Sequence, residues 1–365
     1  MSNKENNTCP ALKTKVGGQA LIEGVMMLGP KKGCMAVRKP DKTIYTEEWT
    51  LKGKKWYNKA PFIRGCFNFV GQLKDGYKYI NKSGEISGMF DEDEPEKDKK
   101  KKTEQEAVEP AEAVETTEVT ETAEPVTEKT ENTEKPEKEK SDPMTTVIMV
   151  ISSILGIAMA VFLFMMLPTF IFTGIQYLCG DTDISMFRSL IEGVLKIGIF
   201  LFYMWLTSLM KTMKRLYMYH GAEHKTIFCY ENRLPLTVEN VRKFKRFHPR
   251  CGTSFIFLTL AISILVYSIL PINSELFVNS FGVSQFVGDL LRIACKLVFL
   301  PVVVGIAYEL IRIAGRYNNL FTRIISAPGL AVQRLTTKEP EDDMIEIAIA
   351  SMLPVLPENP DDAKW

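Results

Sequence analysis

The chain is poor in histidine. It has three in 365 residues, and all of them fall between Tyr217 and Phe255. It has no cysteine framework either. Seven cysteines, odd in number and scattered, argue against a disulfide scaffold and fit reduced thiols on a cytosolic face. Asp91 to Asp142 contains no Phe, Tyr, Trp, Leu or Ile. Such a segment cannot bury enough apolar surface to offset its ordering entropy, which predicts a disordered linker. The start of the chain has no apolar run, so no secretory signal is expected. Met144 to Leu178 carries no charge over 35 residues, which excludes a solvated helix.

Charge is unevenly spread. The linker holds 20 acidic and 9 basic residues, a net of −11, so the overall +1 conceals a body of +12. Four organisational segments follow. They are an N-terminal cytosolic α+β region (1–90), the acidic linker (91–142), a four-span membrane domain (143–313) with a cytosolic His/Cys loop (211–252), and a C-terminal cytosolic tail (314–365). The predicted class is a mainly α, polytopic membrane protein with a small α+β region at its N-terminus.

In the first segment, VGGQALIEGVMMLGP (16–30) reads as a buried strand with glycine bends. Glu23 is its only charge, and an acid in an apolar setting is a candidate site residue. Residues 34–50 predict a β-hairpin about Lys39-Pro40-Asp41-Lys42. Pro61 opens a helical stretch whose apolar residues suit either a membrane interface or packing on the hairpin.

The first span is expected to end near Pro168, with a kinked remainder to Leu178. The others are placed at 184–210, 253–270 and within 286–313. Glu192, Lys196, Asp289, Arg292 and Lys296 lie near span starts, where snorkelling is the simpler account and a polar cluster the alternative. Ten Lys or Arg between Lys211 and Arg250 face one, Arg188, in the two opposite loops. The positive-inside rule then places the histidine loop and both termini in the cytosol of a plasma-membrane protein. The tail predicts a turn at Ala327-Pro328-Gly329 and a last helix after Pro340, with Ile345, Ala348, Ile349 and Met352 on its apolar face.

The second span is expected to continue as helix through His224, which sets His220 and His224 one turn apart on one face. Together with Glu223 they form His-x-x-Glu-His, in which two imidazoles hold a metal and the acid serves as general base. His248-x-x-Cys251 adds an N and an S donor of the kind zinc prefers. Four protein ligands would make a closed structural site, and three would leave a position for chemistry. Glu309, near the end of the fourth span, is a further candidate acid. The competing account has the histidines hydrogen-bonding in a loop whose Arg242, Lys243, Lys245 and Arg246 bind acidic lipid headgroups. No nucleic-acid motif accompanies these basic residues, so none is expected as a partner.

GGQALIEGVMM (17–27), PFIRG (61–65), YHGAEHK (219–225), HPRCGTSF (248–255) and APGLAVQRLTTKEP (327–340) resemble the YqhQ-like family of bacterial membrane proteins. The resemblance spans most of the chain outside the linker. It implies a multi-pass bacterial membrane protein and a predicted metal-dependent enzyme. The insert at 91–142 and Leu28, where arginine is expected, depart from the pattern. Two functions compete: a metal-dependent hydrolase with an unidentified substrate, and a non-catalytic binding or assembly protein whose loop is structural or binds lipid.

Overall fold

Glycine-punctuated, β-branched and Met-rich residues 17–50 form one antiparallel meander. In the computed structural model its strands are β1 (Gly17–Leu21), β2 (Gly24–Leu28), β3 (Lys32–Arg38) and β4 (Ile44–Thr50), paired in that order. The structure describes residues 12–51, 53, 56–89, 143–180, 182, 184–270, 272–317, 319–359 and 362. The linker expected at 91–142 lies outside them. Residues up to 91 and from 160 onward form one compact unit, while 92–159 fall in another.

The hairpin expected at 34–50 is β3–β4, with Arg38 opposite Ile44. The segment 16–30 is a second hairpin rather than a single bent strand. Leu21 pairs with Gly24, leaving Ile22 and Glu23 as a two-residue turn. Glu23 takes φ +48 there. That strain is supported by a bidentate Arg215 grip on its carboxylate, with both contacts at 2.5 Å, and by the Tyr219 hydroxyl at 3.2 Å.

Among the described residues, eleven α-helices and one π-turn join the sheet. They are α1 (Ile63–Ile86), α2 (Pro143–Val161), α3 (Leu167–Leu178), α4 (Arg188–Ser208), α5 (Lys211–Glu231), α6 (Val238–Arg242), α7 (Gly252–Ile269), α8 (Ser274–Phe281), α9 (Gln285–Arg316) and α10 (Leu320–Thr336), followed by α11 (Asp342–Met352). Among the described residues, four stretches are long and apolar enough to cross a membrane: 151–178, 188–208, 252–269 and 285–316.

The first of these does not stop at Pro168. A π-turn at Phe162–Met166 joins α2 to α3 and accommodates the proline's missing N–H and its ring. The second does not run on into the histidine helix. Met210 is extended, with ψ 135°, so α4 ends and α5 begins as a separate helix. The turn lets α5 pack against β1 and α11. The turn expected at Ala327-Pro328-Gly329 is also absent, and α10 runs through it. Gly329 lies so close to α7 that a Cβ would meet Ser254 at 2.6 Å.

The sheet is covered on both faces. Val25, Met27, Cys34 and Ala36 share one core with Tyr219, Ala222 and Ile227 of α5 and Met344, Ile345, Ala348 and Met352 of α11. Leu21, Met26 and Met35 pack on Tyr79 of α1. The N-terminal sheet and the tail therefore close one core around the histidine helix. Of the two accounts open for α1, packing on the hairpin is the one seen. Gly65 packs on Gly305 and Tyr308 of α9, and its later half stacks Tyr79 on Trp49 at 4.4 Å.

The span charges form a cluster and do not snorkel. Glu192, 1 % exposed, accepts from Arg292 at 2.5 and 3.0 Å, from Lys296 at 2.8 Å and from Arg188 at 3.1 Å. Arg188 also reaches Asp289 and Ser274, each at 2.6 Å. A lone charge at this depth is costly, and mutual pairing satisfies both signs.

Candidate metal centre

The helix α5 sets His220 and His224 one turn apart, with ring centroids 4.4 Å from each other. Each Nδ1 meets a backbone carbonyl. His220 Nδ1 is 2.8 Å from the Thr336 oxygen, and His224 Nδ1 is 2.5 Å from the Arg246 oxygen. A carbonyl only accepts, so each ring donates from Nδ1 and leaves Nε2 as the atom a metal would take. Cys251 completes the group, its Sγ 3.1 Å from His220 Nε2. It immediately precedes α7, whose N-terminal dipole favours a thiolate.

The donor atoms of His220, His224 and Cys251 all lie within 4.8 Å of one another. Ligand atoms of a zinc tetrahedron stand about 3.3–3.8 Å apart, so small rotamer movements close this set on an ion. Donor type, number and tautomer fit a zinc-type metal with one position open. Without an ion, the electrostatics describe an imidazolium facing a thiolate, and metal binding would release the His220 Nε2 proton. Burial alone would lower the His220 pKa, but the neighbouring Cys251 outweighs it and holds the ring up at about 9. Burial would raise the Cys251 thiol, and the His220 and His224 rings bring it well below its ordinary value.

Glu223 lies beside these donors. Burial raises its pKa, against the opposing pull of His224 and His220. Its Oε2 is buried without a hydrogen-bond partner. The strand β1 comes up against it, and a Cβ on Gly18 would meet the Glu223 carboxyl carbon at 3.1 Å and the Met26 oxygen at 2.5 Å. Gly221 plays the same part on α5. A Cβ there would lie 2.1 Å from the Lys338 oxygen, in the segment that follows Thr336.

Other expected residues are placed elsewhere. The His248 ring stands 5.5 Å from the His224 ring, but its nitrogens are not among the three clustered donor atoms. Its Nδ1 faces the Arg250 N–H at 3.3 Å, and its Nε2 lies 3.8 Å from Glu231. Burial lowers its pKa to about 4, which makes it a neutral ring. Glu309 is held by Arg64, with Nε to Oε1 at 2.7 Å, and by the Phe62 N–H. It anchors α1 to α9. Glu23 is held by Arg215 at the turn of the first hairpin. Three of the four basic residues assigned to lipid are in ion pairs: Arg242 with Asp342, Lys243 with Glu239 and Arg246 with Glu339.

Sequence reasoning missed Gln333, which accepts the His248 N–H and donates to the His248 carbonyl, each at 2.7 Å. A lone amide inside the apolar run Leu330-Ala331-Val332 to Leu335 was the available signal. It also missed Glu231, a buried acid that accepts from Thr14 at 2.9 Å and from Arg250.

A family described as "Protein of unknown function (DUF1385)" matches residues 60–358. The chain belongs to that family. It is 29 % identical over 344 residues to the uncharacterized protein YqhQ of Bacillus subtilis (strain 168), covering 92 % of this chain and 90 % of the relative. No solved structure matches it.

Proposed function

We propose that this chain is a membrane-embedded, metal-dependent hydrolase. His220, His224 and Cys251 hold a zinc-type ion, and Glu223 is the general base. The observation that carries the proposal is the orphaned Glu223 Oε2 beside three donors whose tautomers are already set. A buried polar atom without a partner is costly, and a base awaiting a proton accounts for it. When bound, such an ion supplies Lewis acidity and acidifies water. Glu223 takes the proton, and the Thr336 and Arg246 carbonyls keep the imidazoles in register. The ten basic residues from Lys211 to Arg250 support a cytosolic position in the plasma membrane.

Elemental analysis of the purified protein tests this. The parent should carry about one transition-metal ion per chain, as a three-ligand site with an open position does. His224→Ala should lose it, and Glu223→Gln should keep it. A parent purified without chelator that carries no metal and takes up no added zinc would defeat the proposal. A second reading rests on the 3.1 Å His220–Cys251 contact with Thr336 behind the ring, an arrangement of nucleophile, base and orienting group. That reading requires metal-free protein whose Cys251 alkylates fast and loses this reactivity in His220→Ala.

A further inference from the structure

A cavity of about 480 Å³ lies where α9 ends and α10 begins, bounded also by the segment carrying Leu12 and Lys13 and by the loop of His248 to Arg250. This volume suits a small ligand. Three cations line it, Lys13, Arg250 and Arg323, against one carboxylate, Glu231. Arg250 and two contacts from Thr14 already neutralise Glu231. The surplus charge belongs to Lys13 and Arg323. Lys13 spends one of its three protons on the Arg316 carbonyl at 3.1 Å. Phe228 and Leu330 form an apolar wall. Outside it, Leu320, Phe321 and Ile324 are exposed on the same helix as Arg323. They follow directly on Gln285–Arg316, the last membrane-length helix, so a membrane crossed by that helix would set its headgroup layer near them.

We infer that this cavity binds a phosphate-bearing group, and that its source is the headgroup of an anionic glycerophospholipid whose chains lie along Leu320, Phe321 and Ile324. Lys13 and Arg323 face the phosphate, and Arg250 stays paired with Glu231 at the edge of the site. The site does not depend on the metal centre. It also relocates lipid recognition from the loop around Lys243, whose cations are largely paired within the protein.

The test uses the full chain in nanodiscs of phosphatidylcholine with and without phosphatidylglycerol, with retained lipid read by native mass spectrometry. Phosphatidylglycerol should be retained over phosphatidylcholine by about tenfold. Arg323→Ala and Lys13→Ala should each cut retention about fivefold, while Lys243→Ala leaves it unchanged. Arg323 is exposed, and its variant's gel-filtration profile and circular dichroism should match the parent. A second arm titrates glycerol 3-phosphate into the phosphatidylcholine nanodiscs and follows thermal stability. Saturable binding lost in Arg323→Ala, with no phosphatidylglycerol retained, would keep the phosphate site and assign it a soluble ligand. Failure of both probes, or equal loss in Lys243→Ala, would overturn the inference.

Discussion

Two of the buried polar clusters among the described residues are built on opposite rules. Around Glu192 the charges are mutually paired: two arginines and a lysine share one carboxylate, and Arg188 goes on to Asp289 and Ser274. Around His224 the groups are aimed but left incomplete. Two rings are held from behind by carbonyls, their free nitrogens face a thiol, and Glu223 keeps an oxygen without a partner. A buried network that is complete fixes a structure. One that is complete except at a shared point is shaped for something that arrives later. Burial and charge alone do not separate the two clusters. Satisfaction of hydrogen bonds does.

That contrast breaks most visibly at Glu192. Glu192→Ala leaves Arg292 and Lys296 buried and unpaired, and should cost about 3–5 kcal/mol. Thermal unfolding in detergent should show the loss, and a variant as stable as the parent would mean the cluster is not structural. Gly221→Ala comes next. Alanine is the better helix former by about 1 kcal/mol, yet its Cβ would strike the Lys338 carbonyl. A net destabilisation of about 1–3 kcal/mol is expected, together with weakened metal retention, because the displaced segment carries the Thr336 oxygen. A more stable variant would show that the segment yields freely.

A third prediction concerns acid. Burial would raise the Glu231 pKa, but the His248 contact, Arg250 and the Thr14 N–H together bring it from 4.5 down to about 2. The folded value is the depressed one. The ion pair's stability is therefore complete above pH 4.5 and is lost as the pH falls from there toward 2. Unfolding temperatures of the parent should fall across that window, and those of Glu231→Gln should fall less. Equal slopes would remove Glu231 from the account. The smallest effect is expected at Glu223. Glu223→Gln replaces a buried carboxylate with a neutral amide and should change stability by less than about 1 kcal/mol. A large loss would place Glu223 in the same structural class as Glu192.

Much of the fold was legible because its signals are local. Apolar length marks the membrane-length helices, Lys39-Pro40-Asp41-Lys42 marks the β3–β4 turn, and the acids after Pro340 mark the start of α11. Proline misled twice. Pro168 and Pro328 both sit inside helices, the first behind a π-turn and the second where α10 presses on α7. The site was legible in its donors and not in its supports. His220, His224 and Cys251 meet as their residue types suggest. His248 departs because Glu231 and Arg250, nineteen positions apart, claim its ring. The carbonyls of Thr336 and Arg246 leave no trace in a side-chain pattern. Glu192 and Arg292 are one hundred positions apart, a pairing that periodicity cannot reveal.

The order of synthesis gives the ends of the chain a particular weight. The His220 ring is oriented by Thr336, its helix lies under Lys338 and α11, and its core is completed by a sheet formed from residues 17–50. The membrane-length helices all precede Thr336 and α11 in the chain, the last of them ending at Arg316. A nascent chain can therefore seat those helices while its histidine centre has no back wall. The centre forms only once the last thirty or so residues return to the first fifty. Chains cut short by a late stop codon would reach the membrane, hold their four long helices, and never assemble the centre.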